Sequence, residues 1–222
     1  AQQFVPNGAI LEGENGVFGL DTSTSVKASP DGKNLYSVGF QDNTLVTWKI
    51  DSGNDLPIYV ETHRDGIGGV HGLVQPKHLV VSGDGINVYV AARYSVNWYE
   101  IATFSRDADT GELEFIGAVS RSPLCGALSL SLPKDGQHLY AACQYTGVHI
   151  YKRDDSSGEL EFIDRFITDD GSTSNLEAIS SSPDGKYLYF ASGGVRGISV
   201  FSRDTSTGLL TLVQTIQEGT EG

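Results

Sequence analysis

At 222 residues with an ordinary apolar share, the chain is long enough for one large all-β domain and too apolar for a disordered polymer. Its 15 Lys+Arg against 28 Asp+Glu give a net charge of −13. No basic face is left to release counterions from a phosphate backbone, so nucleic acid is not expected as a partner. No apolar run approaches the ~20 residues that a membrane-spanning helix requires.

The chain starts Ala1-Gln2-Gln3 and contains no methionine, which predicts a removed leader or a piece of a longer protein. Residues 4–11 read as a lone outer strand. Four copies of one pattern follow, over approximately 12–60, 61–117, 118–167 and 168–217. Each has a Gly turn, an apolar-Tyr strand, a second strand closing on Arg-Asp, and a Thr/Ser-Gly turn. The turn glycines are Gly32, Gly85, Gly136 and Gly185, in steps of 53, 51 and 49 residues. A period of this size built from strands predicts a β-propeller of four-stranded antiparallel blades, and no segment carries a helical apolar period.

The first copy departs from the rest. Its third strand ends Trp48-Lys49-Ile50-Asp51 where the others end Phe104-Ser105-Arg106-Asp107, Tyr151-Lys152-Arg153-Asp154 and Phe201-Ser202-Arg203-Asp204. Its fourth strand holds Pro57, which suits the free outer edge of a blade. The aromatics Trp48, Phe104, Tyr151 and Phe201 are expected to pack between blades. Cys125 and Cys143 flank a turn on neighbouring strands, close enough for a disulfide but also readable as two buried thiols. The last copy is the cleanest: strands over 178–181, 187–192, 198–201 and 210–216. The tail, 217–222, has the phase of residues 11–16. Both ends therefore offer an outer strand, which predicts part of a ring of six to eight blades, or a ring completed by a second chain. A self-closing four-blade ring is the remaining option.

Ser182-Pro183-Asp184-Gly185-Lys186, Ile198 to Asp204 and Thr207-Gly208-Leu209-Leu210 resemble the bacterial lactonase-like β-propellers, which include 6-phosphogluconolactonase-type enzymes and secreted surface proteins. The Gly-rich stretch Glu61 to Leu73 is similar to a loop of the secreted members. The resemblance implies a propeller fold and, for the enzymes, hydrolysis of a sugar lactone.

Turns linking first to second and third to fourth strands repeat closely, whereas the loops on the opposite face vary, and function favours variable loops. The second copy spans 19 residues from Gly85 to Phe104 against 15 or 16 elsewhere, so the excess falls in a loop over 92–100. Its Arg93, Tyr94, Asn97, Trp98 and Tyr99 suit stacking on and orienting a sugar. His63, Asp65 and His71, with Tyr145, are further ligand contacts. His63, Arg93, Glu177 and Arg196 are the acid–base or oxyanion candidates, with Arg121 on the same face. The His63, His71 and His78 spacing matches no usual metal site, so no metal is expected. Asp107 to Gly111 and Asp154 to Gly158 read as turns rather than calcium loops. No nucleotide or cofactor motif occurs, so no cofactor is expected.

The first functional reading is a non-catalytic secreted or periplasmic module. It would bind a carbohydrate-like ligand or a protein partner on the variable-loop face. The alternative is a lactonase-like hydrolase. A homodimer, or further blades, would complete the ring.

Overall fold

The computed structural model describes residues 13, 17–95, 98–121, 127–144 and 146–219. Of Tyr94, Trp98 and Arg121 only the backbone is described. The expected strand at 4–11, and Asn97, Cys125 and Tyr145, lie outside these residues.

Sixteen strands form four antiparallel sheets, each in plain sequence order from the inside outward. The first blade holds β1 (Ser23–Ala28), β2 (Asn34–Gly39), β3 (Thr44–Ile50) and β4 (Pro57–Arg64). The second holds β5 (Pro76–Val81), β6 (Asn87–Ser95), β7 (Trp98–Arg106) and β8 (Leu113–Arg121). The third holds β9 (Ala127–Ser131), β10 (His138–Cys143), β11 (Gly147–Arg153) and β12 (Leu160–Phe166). The fourth holds β13 (Leu176–Ser181), β14 (Tyr187–Ser192), β15 (Gly197–Arg203) and β16 (Leu210–Gln217). Among the described residues none is helical.

Each blade is made by the same local chemistry. In the turn after the innermost strand, Asp31 Oδ1 accepts from Ser29 Oγ and from the Lys33 N–H, and Gly32 takes φ +71°. Asp84 and Asp184 repeat this with Ser82 and Ser182. In the turn after the third strand, Asp107 Oδ1 accepts the N–H groups of Asp109 and Thr110, and Asp154 and Asp204 do likewise. Asp107 and Asp154 are thus spent on their own turns, which is the turn reading of the Asp-rich segments.

Two boundaries differ from the sequence reading. The 92–100 stretch is hairpin, not loop: β6 runs to Ser95 and β7 starts at Trp98, with Arg93 opposite Tyr99 and Ser95 opposite Trp98. Its aromatic and β-branched content extends the ladder instead of leaving it. His63 likewise lies on β4, opposite Leu45, rather than in the following loop.

Hydrophobic clusters lie between blades. Tyr36, Val38 and Leu45 of the first blade meet Leu79, Val88 and Phe104 of the second. Tyr89 and Ile101 meet Leu139 and Tyr151, and Tyr140 and Ile150 meet Leu188 and Phe201. Trp48, Phe104, Tyr151 and Phe201 are all buried; the last three lie between blades as expected, whereas Trp48 packs on Val46, Leu35 and Tyr59 of its own blade and on Val17 and Leu20. Burying each such ring contributes about 1.5–3 kcal/mol.

A polar lock crosses every one of these seams. Arg106 reaches back into the first blade: Nε donates to Tyr36 Oη (2.8 Å), and Nη2 to Asp31 Oδ2 (2.8 Å) and Asn34 Oδ1 (2.7 Å). Its Nη1 donates to the Gly85 carbonyl of its own blade (3.0 Å). Tyr36 in turn donates to the Gly111 carbonyl (2.9 Å). Arg153 repeats the set on Tyr89, Asp84 and Asn87, and Tyr89 donates to Gly158. Burial first, against the pull of the guanidinium, pushes the Tyr36 and Tyr89 hydroxyls up to about 12, so both stay neutral donors.

The third seam is incomplete. Arg203 pairs with both oxygens of Asp135, and Tyr140 still donates to Gly208, but His138 stands where the others have asparagine. Among the described residues, Arg203 Nε and His138 Nδ1 are buried without a partner. In the other seams the asparagine accepts from Nη2 and the tyrosine from Nε, so an asparagine there would restore the Nη2 acceptor and remove the unpartnered ring nitrogen. His138→Asn is therefore expected to raise stability by about 1 kcal/mol, read as a higher urea midpoint at unchanged slope.

Candidate functional site

The four innermost strands share an irregularity at one end. Their pairing skips a residue between Ser23 and Ser25, Pro76 and His78, Ala127 and Ser129, and Leu176 and Ala178. The extra residues are Thr24, Lys77, Leu128 and Glu177. A bulge re-aims the side chain it releases, and bulges gather beside binding sites. All four lie on the variable-loop face, at the inner rim.

Backbone strain gathers at the same rim. The residue preceding β1, β5 and β13 is left-handed without being glycine: Thr22 (φ 55°), Gln75 (φ 49°) and Asn175 (φ 49°). Asn43 and Arg196, in the loops between second and third strands, are left-handed too. Such conformations cost roughly 1–2 kcal/mol each outside glycine, and a packed surrounding must hold them. The hold is visible. The Thr22, Gln75 and Asn175 carbonyls accept the N–H groups of Phe40, Arg93 and Gly193. Asn43 Oδ1 accepts the Gln75 N–H (2.8 Å), Asp42 Oδ2 accepts the Asp21 N–H (2.9 Å), and Gln144 donates to Asn175 Oδ1. Thr24 donates to the Pro76 carbonyl, and the Lys77 ammonium sits 4.2 Å above the Phe40 ring.

On this rim stand three of the expected residues. Glu177 is the bulged residue of β13 and is exposed; Arg196 is exposed in the β14–β15 loop; Arg93 is half-buried near the end of β6. Lys77, also on the rim, carries no sequence motif, and only the one-residue slip against β6 reveals its placement. Cations can hold an anionic or carbonyl oxygen and a carboxylate can take a proton, and this face carries both kinds, on the second and fourth blades.

The other expected residues fall elsewhere. His63 lies on an outermost strand. Its Nε2 is 3.3 Å from Glu61 Oε1, which also accepts the Leu113 N–H (2.7 Å), and its ring packs on Phe104. It borders a lateral groove of about 530 Å³ with Arg64, Ile67, Val70 and Phe115, not the rim. Asp65 Oδ1 accepts the Leu73 N–H and closes its own loop. His71 packs edge-on against Phe115 at 4.9 Å. Tyr99 is a correction: instead of facing a ligand it is fully buried, its hydroxyl bonded to His149 Nδ1 (2.8 Å) and to Tyr151. Alternation along the extended β7 turns its ring into the seam between the second and third blades.

At the other end of the inner strands, His78 and Lys27 line a cavity of about 250 Å³ with Ser131 and Ser180. His78 Nδ1 accepts the Leu130 N–H (3.2 Å), and burial, helped by Lys27, lowers its pKa to about 4. No cluster of metal-ligating side chains occurs among the described residues. Cys143 is fully buried and disulfide-bonded.

A family model described as "Lactonase, 7-bladed beta-propeller" matches residues 25–173. Among solved structures, a Bacteroides uniformis protein provisionally assigned as a 6-phosphogluconolactonase aligns with TM-score 0.75 at 24% identity, over 90% of this chain and 60% of its own. A Bacteroides fragilis protein with the same provisional assignment aligns at 0.70 and 25% identity, over 88% and 55%. The periplasmic gluconolactonase of Pseudomonas aeruginosa aligns at 0.69 and 21% identity, over 88% and 54%. The chain thus spans little more than half the length of these structures. No curated protein matches it.

Proposed function

The chain belongs to the lactonase family of seven-bladed β-propellers, and from that premise we propose that it acts in hydrolysis of a sugar lactone at the inner rim of the variable-loop face. The family match over residues 25–173 carries the activity; the repeated bulges and left-handed residues support the placement. In this reading Glu177 takes a proton from water as the water oxygen bonds to the lactone carbonyl carbon. Arg93 and Lys77 stabilise the negative charge that develops on the carbonyl oxygen. The ring C–O bond then breaks and the leaving oxygen takes up a proton, giving a hydroxy acid. The family match favours this reading over the non-catalytic one, and Tyr99, one of the residues on which the latter rests, is buried in a seam.

A location outside the cytoplasm belongs to the same proposal. The disulfide at Cys143 supports an oxidising compartment, as does the periplasmic setting of the Pseudomonas structure.

The test is turnover of glucono- and 6-phosphoglucono-lactones, followed by pH-stat above the spontaneous rate. Glu177→Gln and Arg93→Ala are each expected to lower kcat/KM by roughly 100-fold or more. His63→Ala should stay within about twofold of wild type, since His63 sits in the lateral groove. No turnover of any lactone, or a loss in His63→Ala as large as in Glu177→Gln, would overturn the proposal.

A further inference from the structure

The innermost strand of each blade has one edge free of pairing, and the backbone N–H groups along that edge need an acceptor from elsewhere. The acceptor comes from the preceding blade, each time from the same position. Ser25, His78 and Ser129 each follow the bulge of their strand and stand opposite Val38, Ala91 and Ala142. Ser25 Oγ accepts the Leu79 N–H (3.3 Å), and Ser129 Oγ accepts the Ile179 N–H (3.4 Å). Between them, His78 Nδ1 accepts the Leu130 N–H (3.2 Å). Three joints thus run from blade to blade along the inner wall, and two of them use a hydroxyl that stays neutral at any ordinary pH.

The middle joint differs in kind. An imidazole nitrogen that accepts a hydrogen bond carries no proton, so the ring is neutral and its proton is on Nε2. A second proton can enter only at Nδ1, where it meets the N–H of the buried Leu130, and two donors then face each other. The surroundings offer the imidazolium no counter-charge. β9 carries no ionisable residue, β2 brings only Tyr36, and the charged partners of His78 on β5 and β6, Lys77 and Arg93, are cations. Glu177, the one carboxylate on the four inner strands, lies two blades away on β13. The cavity beside the ring is lined by Lys27, Ser131, Ser180 and apolar side chains, and Lys27 of β1 is the charge that bears on it.

We infer that His78 is a pH-sensitive joint: in acid it lets go of the Leu130 amide and frees the inner edge of the third blade from the second, while the two serine joints hold. The direction follows from linkage. Burial first, and Lys27 second, lower the pKa of His78 in the closed joint to about 4, against an ordinary value of about 6.5 once the ring is released. A histidine shifted in this sense stabilises the closed joint above pH ~6.5, and that contribution fades as pH falls through the folded value. The window lies above the one in which Asp31 takes up its proton, so the joint loosens before the first seam weakens. The inference rests on the hydrogen bonding of the inner strands and not on lactone turnover.

Amide hydrogen exchange, resolved by residue and corrected for its intrinsic pH dependence, tests the three joints together at Leu79, Leu130 and Ile179. Between pH 7 and pH 4.5 the protection of Leu130 is expected to fall by about tenfold or more, and that of Leu79 and Ile179 by less than about threefold. His78→Ser, which installs the acceptor of the other two joints, should keep Leu130 protected across the range. The ring nitrogen shifts of wild-type His78 should place its proton on Nε2 at pH 7, a readout that needs no variant to fold. A proton on Nδ1 at pH 7 would overturn the proposal. So would unchanged protection at Leu130, an equal loss at all three amides, or a loss at Leu130 that persists in His78→Ser.

Discussion

Arg106→Ala is expected to lower the unfolding free energy by about 3–4 kcal/mol, from the hydrogen bonds and packing of a buried guanidinium. The guanidinium is 1% exposed and holds Tyr36, Asp31, Asn34 and Gly85 together, so its removal leaves the buried Tyr36 and Asn34 and the more exposed Asp31 of the first blade without their donor. Arg203→Ala should cost less, roughly 2–3 kcal/mol, because among the described residues its side chain bonds to Asp135 alone and already wastes its Nε. The pH dependence separates this effect from lost packing. Burial opposes ionisation of Asp31, but hydrogen bonds from Ser29, Arg106 and Lys33 outweigh it and hold the carboxyl well below the ordinary range. A depressed carboxyl stabilises the fold above the unfolded value of about 3.9, and that contribution fades as pH falls through the folded value. Urea melts of wild type should therefore weaken with acid below about pH 4, and Arg106→Ala should show a flatter profile there. Equal slopes in the two proteins would show that Arg106 acts through packing alone.

Gly158→Ala is expected to cost about 2–4 kcal/mol, from a left-handed backbone and an overpacked seam together. Gly158 has φ +79°, and an added Cβ would overlap Asn87 of the preceding blade, the same side chain that accepts from Arg153. Gly32→Ala supplies the control. Its φ is +71°, but a Cβ there meets nothing within 4 Å, so only the backbone cost of about 1–2 kcal/mol remains. Chemical denaturation of both variants measures the difference. A Gly158→Ala chain no less stable than Gly32→Ala would mean that the seam yields without strain.

What could be read from the sequence was whatever a blade states within itself. Pro183-Asp184-Gly185 marks a turn by its own φ preferences, and the alternation in Tyr187–Ser192 marks a strand, so β14 agrees to the residue. The recurring Arg-Asp ending was visible, but its meaning was not, because Arg106 and Asp31 lie 75 residues apart. The extra hairpin length of the second blade reads as loop in the sequence, because nothing local distinguishes aromatic residues that extend a ladder from aromatic residues that face a ligand, and only pairing decides. Lys77 and Thr24 were missed for a related reason. A bulge is a mismatch between two strands, so neither strand carries its signature alone. A signal for the seams was present all the same. Ile50 and Asp55 replace arginine and glycine together in one copy, and two linked exceptions in one repeat point to a shared contact.

The polarity of the lock fixes an order in time as well as in space. Each receiving half is synthesised before the arginine that fills it, by 75, 69 and 68 residues at the three seams. At common elongation rates the delay is roughly four to fifteen seconds per seam, ample for a four-stranded meander to form. A blade emerging from the ribosome therefore meets a finished neighbour and closes onto it. In the first three blades the Asp and Tyr then wait for the arginine of the blade made next.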